Sequence, residues 1–104
     1  MRKRRCEILL PLTLNDGSPI DPGKFSRTLE ELIAQFGGVS FLPQGVRGAW
    51  IHEGIRYEEE SRCVMVEVDD TTENEHFFID FKANLLERFE QLEIYMIWYP
   101  IERV

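Results

Sequence analysis

Apolar side chains recur along this chain with two different periods. Phe25, Leu29, Leu32, Ile33 and Phe36 return every three or four residues, and Phe78, Phe81, Leu85 and Phe89 do the same. A 3.6-residue turn places each set on one side of a helix. Elsewhere the period is two. Cys6, Ile8, Leu10 and Leu12 share one parity, and Val64, Val66 and Val68 alternate with Cys63, Met65 and Glu67. Such stretches read as half-buried strands.

Turn chemistry separates these segments. The first strand spans about Arg5 to Leu12, and its pairing is expected to end near Pro11, which has no N–H to donate. The turn formers Asn15-Asp16-Gly17-Ser18-Pro19 follow, then Asp21 as N-cap and Pro22 as first helical residue. Gly37 stops that helix after Phe36. A second strand begins at Val39, is interrupted at Pro43-Gln44-Gly45 and resumes from Val46 to His52. Glu53-Gly54 makes a two-residue hairpin turn into a third strand, Ile55 to Val68. Asp69-Asp70-Thr71-Thr72 caps the second helix, and Leu92 to Ile101 forms the fourth strand. The order β-α-β-β-α-β with right-handed crossovers predicts a single α+β domain over residues 1–104. Its arrangement is ferredoxin-like: a four-stranded antiparallel sheet with both helices on one face and the first and third strands central.

The third strand is too long for its helices. It could reach roughly 46 Å at 3.3 Å per residue, whereas helices of this length cover roughly 17 to 27 Å. The hairpin from Arg47 to Glu60 is therefore expected to project as an arm. The two-residue turn sets its register: His52 opposite Ile55, Ile51 opposite Arg56, Trp50 opposite Tyr57 and Arg47 opposite Glu60.

On the face away from the helices, a monomer's sheet is expected to be polar. Here the last strand is apolar on both parities, with Ile94, Met96 and Trp98 on one and Tyr95, Ile97 and Tyr99 on the other. Met65 and Cys63 point the same way as the second set. An apolar patch on this scale indicates a partner surface. The interface residues expected are Arg47, Trp50, Tyr57, Met65, Tyr95, Ile97 and Tyr99, with a homodimer packed face to face as the leading explanation, a ligand cleft as the alternative, and a protein partner as a further occupant of the molecule's surface.

Charge narrows the partners. The net charge of −7, with acidic residues crowded at Glu58-Glu59-Glu60 and from Glu67 to Asp80, repels phosphate backbones and makes nucleic acid an unsuitable ligand. The basic start from Met1 to Arg5 is the exception, and it reads as a solubilising terminus. It leads into a strand rather than a signal-peptide core, and no apolar run approaches the roughly 20 residues that span a bilayer. A cytoplasmic, non-membrane protein is expected. Cys6 and Cys63 fall on opposite faces of the sheet, which predicts free thiols rather than a disulfide.

Catalytic chemistry is sparse. The hairpin reads first as one stabilised by a cross-strand aromatic pair, with His52 exposed near its turn; the alternative is acid–base work by His52 and Tyr57, beside Trp50 and Arg47, on a small aromatic or carbonyl compound. His76 reads as a helix-surface residue, and the acidic groups as solvated faces and helix caps. No metal site and no cofactor is predicted. An RNA-recognition platform needs aromatics on the first and third strands, where this chain has Cys-Glu-Ile-Leu-Leu-Pro and Arg-Cys-Val-Met-Val-Glu.

The run Leu10-Pro-Leu-Thr-Leu-Asn-Asp-Gly, the first helical stripe, Arg47-Gly-Ala-Trp-Ile and the closing strand from Tyr95 to Ile101 resemble small uncharacterised bacterial α+β proteins. That resemblance covers most of the chain and implies a ferredoxin-like fold in a bacterial cytoplasm, with no activity attached. The expected function is a non-enzymatic binding or interaction module acting as a homodimer. The alternatives are a cofactor-independent oxygenase or isomerase of the dimeric α+β barrel type using the Arg47–Tyr57 hairpin, and an acidic decoy that occupies a nucleic-acid-binding protein.

Overall fold

The computed structural model describes residues 2–104, so Met1 of the basic start lies outside it. The elements are β1 (Lys3–Pro11), α1 (Pro22–Phe36), β2 (Ser40–Phe41), β3 (Val46–His52), β4 (Ile55–Asp69), α2 (Thr72–Arg88) and β5 (Met96–Ile101). The sheet runs β2-β4-β1-β5, with β3 also pairing β4, and every pairing is antiparallel. β1 and β4 are central, as the pattern predicts.

Local chemistry sets the helix ends. The Asp21 carboxylate accepts from the Gly23 N–H, Pro22 opens α1, and Gly37 closes it at φ +82° with its N–H on the Ile33 carbonyl. Thr71 caps α2 by accepting from the Asn74 N–H. Asp69 and Asp70 instead pair with Lys3 and Arg4, so part of the basic start is neutralised across β1 and β4.

Register then builds the core. Cys6 lies opposite Val66, Ile8 opposite Val64, and both pairs face the helices. Leu32 of α1 and Phe78, Phe81 and Leu85 of α2 pack onto them, with Phe89 and Ile94 closing the end. Both helices therefore cover the same side of the sheet.

Three expectations need correction. The sheet has five strands, not four, because the chain from Leu42 to Gly45 faces only Arg62 and Cys63 on β4. Leu42 still donates to the Cys63 carbonyl, but Pro43 has no N–H and the surplus residues loop out. The last strand starts at Met96 rather than Leu92. Glu90 at φ +53° turns the chain off α2, Leu92 is 73% exposed, and Glu93 is held by Lys82 at 2.7 Å. Ile33, placed in the core by its spacing, is 41% exposed. Thr28 is buried on α1 instead, together with Leu32.

Thr28 is buried because its hydroxyl is satisfied twice. It donates to the Lys24 carbonyl at 2.8 Å and accepts from Arg88 Nη1 at 2.9 Å. Arg88 also bonds Glu31 at 2.6 Å while only 10% exposed, so one guanidinium ties α2 to α1. Arg88→Ala is expected to destabilise the fold by about 1.5–3 kcal/mol, the range for hydrogen bonds to charged groups. Urea denaturation at constant m-value measures it; an unchanged midpoint would mean that water replaces the guanidinium without loss.

Candidate functional site

The face opposite the helices is ordered in rows across β4, β1 and β5. Directly paired residues point to the same side. At one end lie Asp69, Lys3 and Ile101, then Glu67, Arg5 and Tyr99, then Met65, Glu7 and Ile97. Cys63 and Leu9 follow, with Tyr95 joined through its carbonyl to the Leu9 N–H. Polarity falls along this series and gives way to the aromatic arm.

The polar end is ion-paired, with the buried Arg5 Nε left without a hydrogen-bond partner among the described residues. Arg5 bonds Glu67 at 2.8 Å, and the Tyr99 hydroxyl donates to Glu7 at 2.5 Å. The hydrogen bond to Glu7 raises the Tyr99 phenol above its ordinary value, while Arg5 holds Glu67 below the usual carboxylate range. Ile97 and Tyr99 are half-buried, Met65 likewise, and Tyr95 is 58% exposed.

Beyond Ser61 the hairpin leaves the layer covered by the helices. Every residue of β3 after Val46 is exposed. The turn at Glu53 (φ +51°) and Gly54 (φ +77°) has positive φ at both central residues, the conformation that suits a two-residue hairpin. It fixes the expected pairing, and the Trp50 and Tyr57 rings stack with centroids 4.6 Å apart and planes 18° from parallel. Trp50 remains 36% exposed, and among the described residues its ring pairs are with Tyr57 and His52. Its Nε1–H donates to Glu59 Oε2 at 3.3 Å.

Between arm and sheet lies a groove of about 450 Å³. Leu9, Pro11, Ser61 and Tyr95 form its floor, with Trp50 and Glu59 along the arm side and the Lys82–Glu93 pair at the far rim. Gly48, directly opposite Glu59, leaves open space: a Cβ there would meet nothing within 4 Å. Large apolar walls with a few polar groups are the usual make-up of a small-molecule site.

The residues expected to act together are thus divided. Trp50 and Tyr95 meet at the groove, and Tyr57 backs Trp50. Met65, Ile97 and Tyr99 lie farther along the same face. Arg47 points to the other side of the arm, opposite Glu60. His52 sits at the turn, half-exposed, with Nε2 3.6 Å from Glu53 and its ring 6.2 Å from Trp50, outside the lining of the groove. Glu59 and Ser61, by contrast, are lining residues that the sequence reading did not single out. Their signal was parity, since Tyr57, Glu59 and Ser61 alternate onto the side that carries Trp50.

Neither thiol is poised as a nucleophile. Burial pushes Cys6 up to about 12 and raises Cys63 as well, so both stay protonated near neutral pH. They lie on opposite faces and are unbonded. Among the described residues no three His, Cys, Asp or Glu side chains gather as a metal-binding group.

The chain matches no protein-family model and no curated protein sequence. Its fold does have solved counterparts. CutA1 from Oryza sativa superposes with a TM-score of 0.68 at 10% identity, covering 100% of this chain and 84% of that one. A phage SAM lyase in complex with S-methyl-5'-thioadenosine gives 0.71 at 14% identity, covering 94% and 81%. The B. subtilis GlnK–ATP complex gives 0.55 at 15% identity, covering 96% and 82%. The chain shares their α+β fold. At such identities the likeness extends to the fold alone.

Proposed function

We propose that this chain is a bacterial cytoplasmic binding module that works as a homodimer, with the open sheet faces in contact and the groove beneath Trp50 as its ligand site. One observation carries this reading: the Trp50–Tyr57 stack is held out on an arm above an apolar groove instead of joining the core. An exposed pair of this kind is an interface or ligand anchor more readily than a stabilising device. The half-buried Ile97 and Met65 supply the adjoining apolar surface, and the ion-paired rows beyond them supply a polar rim.

Light scattering coupled to size exclusion tests the assembly. A dimer is expected at micromolar concentration, and Ile97→Asp is expected to weaken it at least tenfold, since a buried isoleucine contributes about 1.5–3 kcal/mol. Trp50→Ala is expected to weaken association more than it lowers the unfolding midpoint of the monomer. A wild-type chain that stays monomeric throughout would overturn the homodimer.

A second reading is an enzyme acting on an adenine nucleoside. It is favoured by the phage SAM lyase, whose structure holds S-methyl-5'-thioadenosine, and by the groove itself. The Trp50 ring offers a stacking surface for a purine, and Glu59 offers an acceptor for an amino group. In this reading Glu59, rather than His52 at the arm's tip, is the proton-transfer group within reach of a bound compound. Incubation with S-adenosylmethionine, followed by chromatography for methylthioadenosine, separates the readings: turnover lost in Glu59→Gln supports the enzyme, and no turnover supports the binding module.

A further inference from the structure

The groove's charge does not balance, and the imbalance specifies a ligand. Three ionised side chains line it: Glu59, Lys82 and Glu93. Lys82 and Glu93 neutralise each other at 2.7 Å. Glu59 forms no ion pair among the described residues, and its one side-chain partner is the neutral Trp50 indole, at a long 3.3 Å. The adjacent carboxylates give no relief. Glu58 pairs with Arg56, and Glu60 lies opposite Arg47, both on the other side of the arm. A lone carboxylate thus stands in a mostly apolar groove, where low polarizability strengthens its field, in a chain of net charge −7.

Beside that carboxylate is a tryptophan, the side chain most attractive to a cation; its Nε1–H edge meets Glu59, Tyr57 covers one face of the ring, and the indole stays 36% exposed. Opposite Glu59, Gly48 leaves room for a ligand to reach both. Resting on the reading of the groove as a ligand site, we infer that it selects a flat organic cation, with the positive charge on Glu59 and the ring against Trp50. The same field rejects phosphorylated and carboxylated compounds. The natural ligand is then a quaternary ammonium, sulfonium, pyridinium or protonated amine carried on a planar body.

A matched pair of probes tests the charge apart from the shape. 1-Methylnicotinamide is a flat cation, and nicotinamide is its neutral counterpart of nearly the same size. Each is titrated into ¹⁵N-labelled protein while the indole N–H of Trp50 is followed, with Trp98 on the helix side of the sheet as internal reference. The cation is expected to bind at least tenfold more tightly than the neutral compound. Glu59→Gln, which preserves the shape of this half-buried side chain, is expected to bring the two affinities together. Gly48→Leu, whose Cβ has nothing within 4 Å, is expected to fill the groove and abolish both.

Equal binding of the two probes to the wild type, or cation binding indifferent to Glu59→Gln, would overturn the selectivity while leaving the groove as a site. Shifts that survive Gly48→Leu would place binding elsewhere and overturn the inference. Failure of both probes to bind the wild type would remove the groove reading together with it.

Discussion

Phe89→Ala is expected to lower the stability of this domain by about 3–5 kcal/mol, the range for truncating a fully buried aromatic ring. Domains of this size hold only about 5–15 kcal/mol in all. Phe89 is 1% exposed and sits where α2 ends, wedged between the helix pair and the segment returning to β5. Its removal opens a cavity in the cluster that also holds the buried Leu85 and Ile94. Leu92, three residues on and apolar too, is the control. Being largely exposed, Leu92→Ala is expected to stay within about 0.5 kcal/mol of the wild type. Urea denaturation of both variants decides the matter, and equal midpoints would show that Phe89 does not anchor the core.

The second large effect is alkaline. Cys6 is buried among Ile8, Val66 and Trp98, and desolvation, aided by the nearby Glu7 carboxylate, pushes its thiol from an ordinary value of 9.0 to about 12. Above pH 9 the unfolded chain therefore loses a proton that the folded chain retains. Stability falls with rising pH, by up to about 1.4 kcal/mol per pH unit and about 4 kcal/mol across the window from pH 9 to 12. Below pH 9 the thiol is neutral in both states and contributes no slope. The measurement is the difference in unfolding free energy between the wild type and Cys6→Ala from pH 7 to 11. That difference is expected to be flat to pH 9 and then to shift steadily against the wild type. A difference flat throughout would mean that the folded protein accommodates a thiolate at this site.

Much of the architecture was legible because burial leaves a period in the sequence. The valines at 64, 66 and 68 and the alternation from Cys6 to Leu10 fix which side of the two central strands faces the helices. A slip of one residue would expose every one of them. The caps were equally plain, since Asp21-Pro22 and Gly37 each satisfy a backbone requirement that few residues meet. Thr28 was not legible. A polar residue becomes a core residue only when a distant donor arrives, and Arg88 comes from the other helix. The split of one interrupted strand into β2 and β3 depended on how many residues face one another across the sheet, a quantity that composition at Pro43-Gln44-Gly45 does not carry.

The candidate site divides in the same way. The Trp50–Tyr57 stack followed from a two-residue turn, because loop length sets hairpin register. The groove did not follow, since it exists only where the arm rises over Leu9 and Pro11 and the segment after α2 approaches with Tyr95. Glu59 looked like one of three solvated acids. It differs from Glu58 and Glu60 in the side of the arm it occupies and in lacking a basic neighbour there.

The arm also divides the molecule in time. β3 pairs with β4 alone and contributes nothing to the core, so its amide hydrogens can exchange with solvent through a local opening that leaves the rest of the fold intact. The amides of β1 from Cys6 to Leu9, in a strand flanked by β4 on one side and by β5 and Tyr95 on the other and backed by the helices, exchange only when the whole domain unfolds. Residues 46–52 then exchange faster than the central strands. Any occupant that closes over Trp50 slows them first and leaves the central strands unchanged, which makes the exchange rate of one short strand a direct report of occupancy.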